Sequence, residues 1–154
     1  MDNWGLIGLV GIAAAFALPA IGSAFGTGIA AMTAIGAWKK CFLQNKPAPF
    51  LLTAFVGFPL SQTFYGLLLM NAIIADAKSL NPWVILGVGV LGGSAIALSA
   101  YLQGKAAANA SDAFAETGKG VANYILALGI IESVALLGMV FLMQAVSALK
   151  GLYI

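Results

Sequence analysis

Glu132 lies in GIIESVALLG (129–138), where its nine neighbours are all apolar or small. Held charged at the centre of a bilayer, a carboxylate costs at least about 2.5–3.5 kcal/mol. Such a group is either a protonated cross-link between helices or a functional site. Three more polar side chains sit in comparable surroundings: Thr27, Gln62 and Gln103. Gln103 precedes Gly118 by fifteen residues and Glu132 follows it by fourteen. In an antiparallel hairpin turning at Gly118, both would lie about 21 Å from the turn. The midpoint of Thr27 and Gln62 falls at 44–45, again inside an expected turn. All four side chains are therefore expected at one depth.

The segment FPLSQTFYG (58–66) enlarges the group. Ser61, Gln62 and Tyr65 fall within one helical turn, at spacings that bring side chains together. Pro59 lacks a backbone N–H and so frees a carbonyl in the preceding turn. A carboxylate, two amide oxygens, a hydroxyl, a phenol and a bare carbonyl make up the all-oxygen shell that suits a hard cation. Proton binding needs little beyond a carboxylate in an apolar pocket. The glutamines and Ser61 therefore favour Na⁺, with a proton carrier hydrogen-bonded by the glutamines as the alternative. Tyr65 can close the site by donating to Glu132, or serve only as an aromatic packed between helices.

These residues must be positioned by membrane helices. Of 154 residues, 62% are hydrophobic and 8% charged, and the mean hydropathy is +1.01. A water-soluble domain of this size could not bury so much apolar surface. Seven lysines and five acidic residues carry all the charge; Arg and His are absent. The net charge of +2 is scattered, which argues against nucleic-acid binding. Cys41 is the sole cysteine, so neither a disulfide framework nor a CxxC metal cluster is expected, only a free thiol near a membrane surface. The N-terminal MDNWGLIG has no basic stretch, against a cleaved signal peptide, and the chain from Asn3 reads as a retained first span.

Four apolar segments, roughly 4–37, 50–75, 82–104 and 121–149, are each long enough to cross a hydrocarbon core of about 30 Å. KKCFLQNKPAP (39–49) reads as a loop followed by a helix restart, and ADAKSLNPW (75–83) as a break with Pro82 opening the next helix. ASDAFAETGKG (110–120) reads as an extension of the third helix beyond the membrane, turning at Gly118. The turns at 39–49 and 105–120 carry Lys39, Lys40, Lys46, Lys105 and Lys119, against Lys78 and Lys150 on the other side. This bias puts the turns in the cytoplasm and both termini outside.

The halves also resemble one another. An offset of 76 lays SAFGTGIAAMTA (23–34) on SAYLQGKAAANA (99–110), so Thr27 falls on Gln103. An offset of 70 lays SQTFYGLL (61–68) on IESVALLG (131–138), so Gln62 falls on Glu132. The expected fold is an all-α membrane protein of four transmembrane helices, arranged as two fused antiparallel hairpins, 1–76 and 77–154. Only the second hairpin carries the carboxylate. Glycines are concentrated in IGSAFGTGIAA and LGVGVLGGSAIA, where small residues let backbones approach closely. Their spread around the first helix favours a ring or bundle of several copies over packing within one chain alone.

Other features carry less. GTGIAA and GVGVLGG lie inside apolar spans and lack a phosphate-loop Lys-Ser/Thr. Trp4, Trp83 and Tyr153 read as interface anchors on the outer side and Trp38 on the inner. Asp112, Glu116, Lys105 and Lys119 read as a solvated face of the inner hairpin, available for docking.

PLSQTFYG (59–66), SAYLQGKAAA (99–108) and IIESVALLG (130–138) carry a resemblance to a known family. The chain resembles, over essentially its whole length, the membrane-rotor proteolipid (c or K subunit) of V-type ATPases, and most nearly the Na⁺-translocating bacterial branch. The resemblance implies that Glu132, Gln62, Gln103, Ser61 and the backbone carbonyl of Phe58 bind the ion, with Tyr65 as hydrogen-bond partner of the carboxylate. Ser61 stands where threonine is familiar in that family, keeping the hydroxyl, and Ser133 follows Glu132 where threonine is also familiar. It further implies a homo-oligomeric ring in a prokaryotic cell membrane, an arginine supplied by a stator a/I subunit, and central-stalk subunits docked on the cytoplasmic loops. ATP hydrolysis by a soluble head would drive rotation, with no catalytic residue and no organic cofactor in this chain. Two other classes compete: a small proton-coupled drug transporter, which would want an aromatic-lined cavity, and a passive pore or structural proteolipid, which would have no use for the polar group.

Overall fold

A computed structural model describes residues 3–151, with side chains from Gly5 onward; the expected anchors Trp4 and Tyr153 lie outside the described side chains. Six α-helices account for nearly all of that length: α1 (Asn3–Leu43), α2 (Leu52–Gly57), α3 (Ser61–Asp76), α4 (Pro82–Gly87), α5 (Gly93–Thr117) and α6 (Val121–Ala148). A 3₁₀ turn, Phe58–Leu60, joins α2 to α3, and a π turn, Val88–Gly92, joins α4 to α5. Four continuous helical stretches result, Gly5–Leu43, Leu52–Ser79, Pro82–Thr117 and Val121–Ala148, each long and apolar enough to cross a membrane. They are the four spans expected, and the all-helical class is as read from the sequence.

The ends of the spans follow local chemistry. Pro82 occupies the first turn of α4, and Asn81 caps it by accepting from the Trp83 N–H at 2.9 Å. Gly118, at φ 66°, closes α5 in the left-handed conformation, its N–H donating to the Phe114 carbonyl at 2.8 Å. The first turn differs from expectation. Lys39, Lys40 and Cys41 continue α1, which ends only at Leu43, so the connection shrinks to the residues around Asn45 and the two prolines. Nothing in Lys-Lys-Cys breaks a helix, and the Trp38 indole donates to the Pro49 carbonyl at 2.8 Å, tying the loop back on the helix end. Cys41 is a free thiol, buried there rather than exposed.

The first and third spans run side by side in the same direction and pack more extensively than any other pair. Glycine makes this possible. A methyl on Gly22 would strike the backbone of Ala97, and one on Gly26 the carbonyl of Ala100. A methyl on Gly104 would in turn strike the backbone of Gly26, and one on Gly89 that of Gly11. These contacts are offset by 75, 74, 78 and 78 residues respectively, on either side of the 76-residue repeat. The second span crosses the first antiparallel: Gly66 sits on Pro19 and the Ala15 carbonyl, and Pro59 reaches Gly26.

Two apolar clusters flank the level of Gln62. One joins Ala15, Leu69, Ile73, Ile85, Ile96, Ala135, Met139 and Val146. The other, toward the turns, joins Ala30, Ala34, Leu52, Phe55, Ala107 and Leu128. Ion pairs close the ends. Lys40 bridges Asp112 at 2.9 Å and Glu116 at 3.5 Å at the turn side, and Lys150 bridges Asp76 at 2.6 Å at the other. Asp112 and Glu116 therefore tie the first span to the third while remaining on a solvated face, as expected, their side chains 49% and 62% exposed. Lys105 does not join them: its ammonium lies 5.5 Å from the Tyr101 ring centroid.

Candidate functional site

Gln62 and Gln103 are fully buried, between the two apolar clusters. Two amides so placed must satisfy each other or strand donors at a cost of about 1–3 kcal/mol. The Gln62 Nε2 donates to Gln103 Oε1 at 2.8 Å. Gln103 Nε2 donates onward to the Leu128 carbonyl at 2.9 Å and reaches Glu132 Oε2 at 3.5 Å. Leu128 is one turn before Glu132, so the same amide grips the backbone of α6 and faces its carboxylate.

The second span supplies the other side. Pro59 interrupts regular helix, and in the resulting 3₁₀ turn the Phe58 carbonyl accepts from both the backbone N–H and the hydroxyl of Ser61, the latter at 2.9 Å. The same hydroxyl approaches Gln62 Oε1 at 3.2 Å. One turn on, the Tyr65 hydroxyl donates to Glu132 Oε1 at 2.7 Å. Tyr65 and Glu132 are both partly buried, and the carboxylate meets the fold through one phenol and one amide.

Every side chain expected at the site, Ser61, Gln62, Tyr65, Gln103 and Glu132, thus falls in one continuous set of contacts with the Phe58 carbonyl at its end. Three spans contribute. Of the two readings of Tyr65, the hydrogen bond to Glu132 is the one the geometry holds. Thr27 stays out: its hydroxyl donates within its own helix to the Ser23 carbonyl at 2.7 Å. It lies at the right level, since the adjacent Gly26 touches Pro59 and Ala100, but the glycine seam leaves no room for a side chain to cross. One contributor escapes a reading of the sequence. Ser99 donates to the Ile131 carbonyl at 2.9 Å, fixing the backbone next to Glu132. Its position four residues before Gln103, on the same helix face, is the clue that points to it.

Among the described residues there is no group of three or more His, Cys, Asp or Glu able to hold a metal ion. The donors present are neutral oxygens around a single carboxylate. Such a set suits a monovalent hard cation or a proton better than a transition metal.

The family of ATP synthase C subunits has a sequence profile that matches residues 86–144. The matched stretch runs from the end of α4 through α5 into α6 and includes Ser99, Gln103 and Glu132. No curated protein matches the chain. The match covers less than half of the chain: it likens α5 and most of α6 to that family, in a protein with four helical stretches long and apolar enough to cross a membrane.

Proposed function

We propose that this protein is the rotor-ring proteolipid of a V-type rotary ATPase, built as two hairpins, 1–76 and 77–154, and that it carries Na⁺ on Glu132. The observation that carries this reading is the arrangement of Glu132, Gln103, Gln62, Ser61 and the Phe58 carbonyl within one contact network spanning three helices. A proton would need only the carboxylate and Tyr65. The two buried glutamines add amide oxygens that can replace water around a dehydrated Na⁺, and reorienting the Gln62 amide frees the Gln103 oxygen for the same purpose.

The translocation cycle follows from electrostatics. With Na⁺ bound, the carboxylate is neutralised and can face lipid as copies of the chain turn together in a ring. Emptied, it is too costly to expose and must meet a cation. This chain has no arginine, so the stator a/I subunit supplies that charge. Central-stalk subunits engage the turns near Asn45 and Gly118, on the cytoplasmic side by the lysine bias, and a soluble head hydrolyses ATP to drive rotation in a prokaryotic cell membrane.

Carbodiimide labelling of Glu132 in purified membranes, with and without Na⁺ at one fixed pH, tests the choice of ion. Protection by Na⁺ that is absent with choline is the expected result. Labelling that Na⁺ leaves unchanged would make the same rotor a proton carrier.

A further inference from the structure

Ser23, in the first span, is 2% exposed. Among the described residues its hydroxyl oxygen is the one buried side-chain polar atom without a hydrogen-bond partner. Buried hydroxyls are nearly always bonded, so an unpaired one calls for a partner.

Contacts between the first two spans fix what stands opposite it. Gly66 sits on Pro19, and Pro59 reaches Gly26. In an antiparallel pair, each step forward along one helix is a step back along the other. Four residues on from Pro19 is Ser23, and four back from Gly66 is Gln62. Three more on each side arrive at Gly26 and Pro59, the second observed contact. Pro19, Ser23 and Gly26 share one face of the first span, as Pro59, Gln62 and Gly66 share one face of the second. Ser23 therefore stands opposite Gln62.

Gln62 has unused donor capacity to match. Its amide is fully buried and carries two N–H groups, and its one donated bond, to Gln103, engages only one of them. When the Gln62 oxygen turns to an ion, that acceptor is given up as well. Ser61 is the other hydroxyl close by, at 3.2 Å from Gln62 Oε1, but its proton bonds the Phe58 carbonyl and its oxygen is a ligand of the ion.

We infer that Ser23 is a positioning residue of the ion site, its hydroxyl accepting from the Gln62 amide when the Gln62 oxygen turns to Na⁺. The Ser23 proton then bonds the Pro19 carbonyl, one turn back in its own helix. This rests on the Na⁺ reading of the site, and it adds the first span to the three that build it.

The test compares wild type, Ser23→Cys and Ser23→Ala as intact, detergent-purified oligomers at one fixed pH. Three quantities are measured: Na⁺ protection of Glu132 from carbodiimide, the labelling rate without Na⁺, and the thermal midpoint with and without Na⁺. Ser23→Ala should raise the half-protecting Na⁺ concentration about fivefold, the effect of one neutral hydrogen bond. Ser23→Cys should fall between, since sulfur is the weaker acceptor. Because the hydroxyl is unpartnered before the ion arrives, the Na⁺-free labelling rate and midpoint should hold in both variants, while the rise in midpoint on adding Na⁺ shrinks. A midpoint that falls equally with and without Na⁺ would make Ser23 a structural residue, and unchanged half-protection in Ser23→Ala would remove it from the site. Either result overturns the inference and leaves the Na⁺ reading standing. No protection by Na⁺ in the wild type would overturn that reading, and the inference with it.

Discussion

The phenol of Tyr65 and the carboxylate of Glu132 meet at 2.7 Å across the interface between the second and fourth spans. The bond spends one carboxylate oxygen on the fold and leaves Oε2 directed toward Gln103. Tyr65 is thus the residue that decides which way the acid points.

Tyr65→Phe keeps the ring and removes the donor. A hydrogen bond to a charged group contributes about 1.5–3 kcal/mol, so half-protection of Glu132 against carbodiimide should need roughly ten times more Na⁺. Assembly into the oligomer should be unchanged by gel filtration. Unaltered Na⁺ protection would mean that Tyr65 only packs.

Gln103→Leu preserves bulk but strands the Gln62 amide, whose Nε2 donates to Gln103, and removes the side-chain bond to the Leu128 carbonyl. Leaving buried groups unpaired costs about 1–3 kcal/mol, which should lower the thermal midpoint measured by circular dichroism in detergent. Na⁺ protection should disappear over any practical concentration range, while labelling of Glu132 itself persists.

Ser99→Ala removes the hydroxyl that holds the Ile131 carbonyl beside Glu132. A modest loss of stability, about 1 kcal/mol, is expected, with a shift in Na⁺ protection smaller than that of Gln103→Leu. A larger shift than Gln103→Leu would place Ser99 itself among the ion's partners.

Glycines separate into two kinds that substitution should distinguish. Gly26→Val drives a branched side chain into the Ala100 carbonyl and Pro59, whereas Gly28→Ala meets open space. Overpacking commonly costs about 1–3 kcal/mol, and a backbone that cannot yield costs more. Yield of folded oligomer on native gels should collapse for the first and hold for the second.

Asn81→Ala deletes the side-chain cap of α4, a change of about 1 kcal/mol at a span end remote from Glu132. Hydrogen exchange should quicken at Trp83 and Val84 with no effect on Na⁺ protection.

Much of this is legible in the sequence because membranes simplify the problem. Where every backbone group must bond within its own helix, an apolar run predicts a span and a residue's distance from the turn predicts its depth. That is why Gln103 and Glu132 can be paired by counting from Gly118. Counting fixes height but not azimuth, which is why Thr27, expected at the depth of Gln62, bonds within its own helix rather than joining the site. The end of α1 escapes for another reason. Charge marks where a helix is no longer apolar, not where it stops, and Lys39 and Lys40 simply continue α1 to Leu43.

The seam between the first and third spans has one more consequence. With backbone lying directly on backbone at Gly22, Gly26 and Gly104, no rotameric side chain stands between the two helices to flex under load. In the rotor ring proposed above, each copy would then act as a stiff rib that transmits torque with little give.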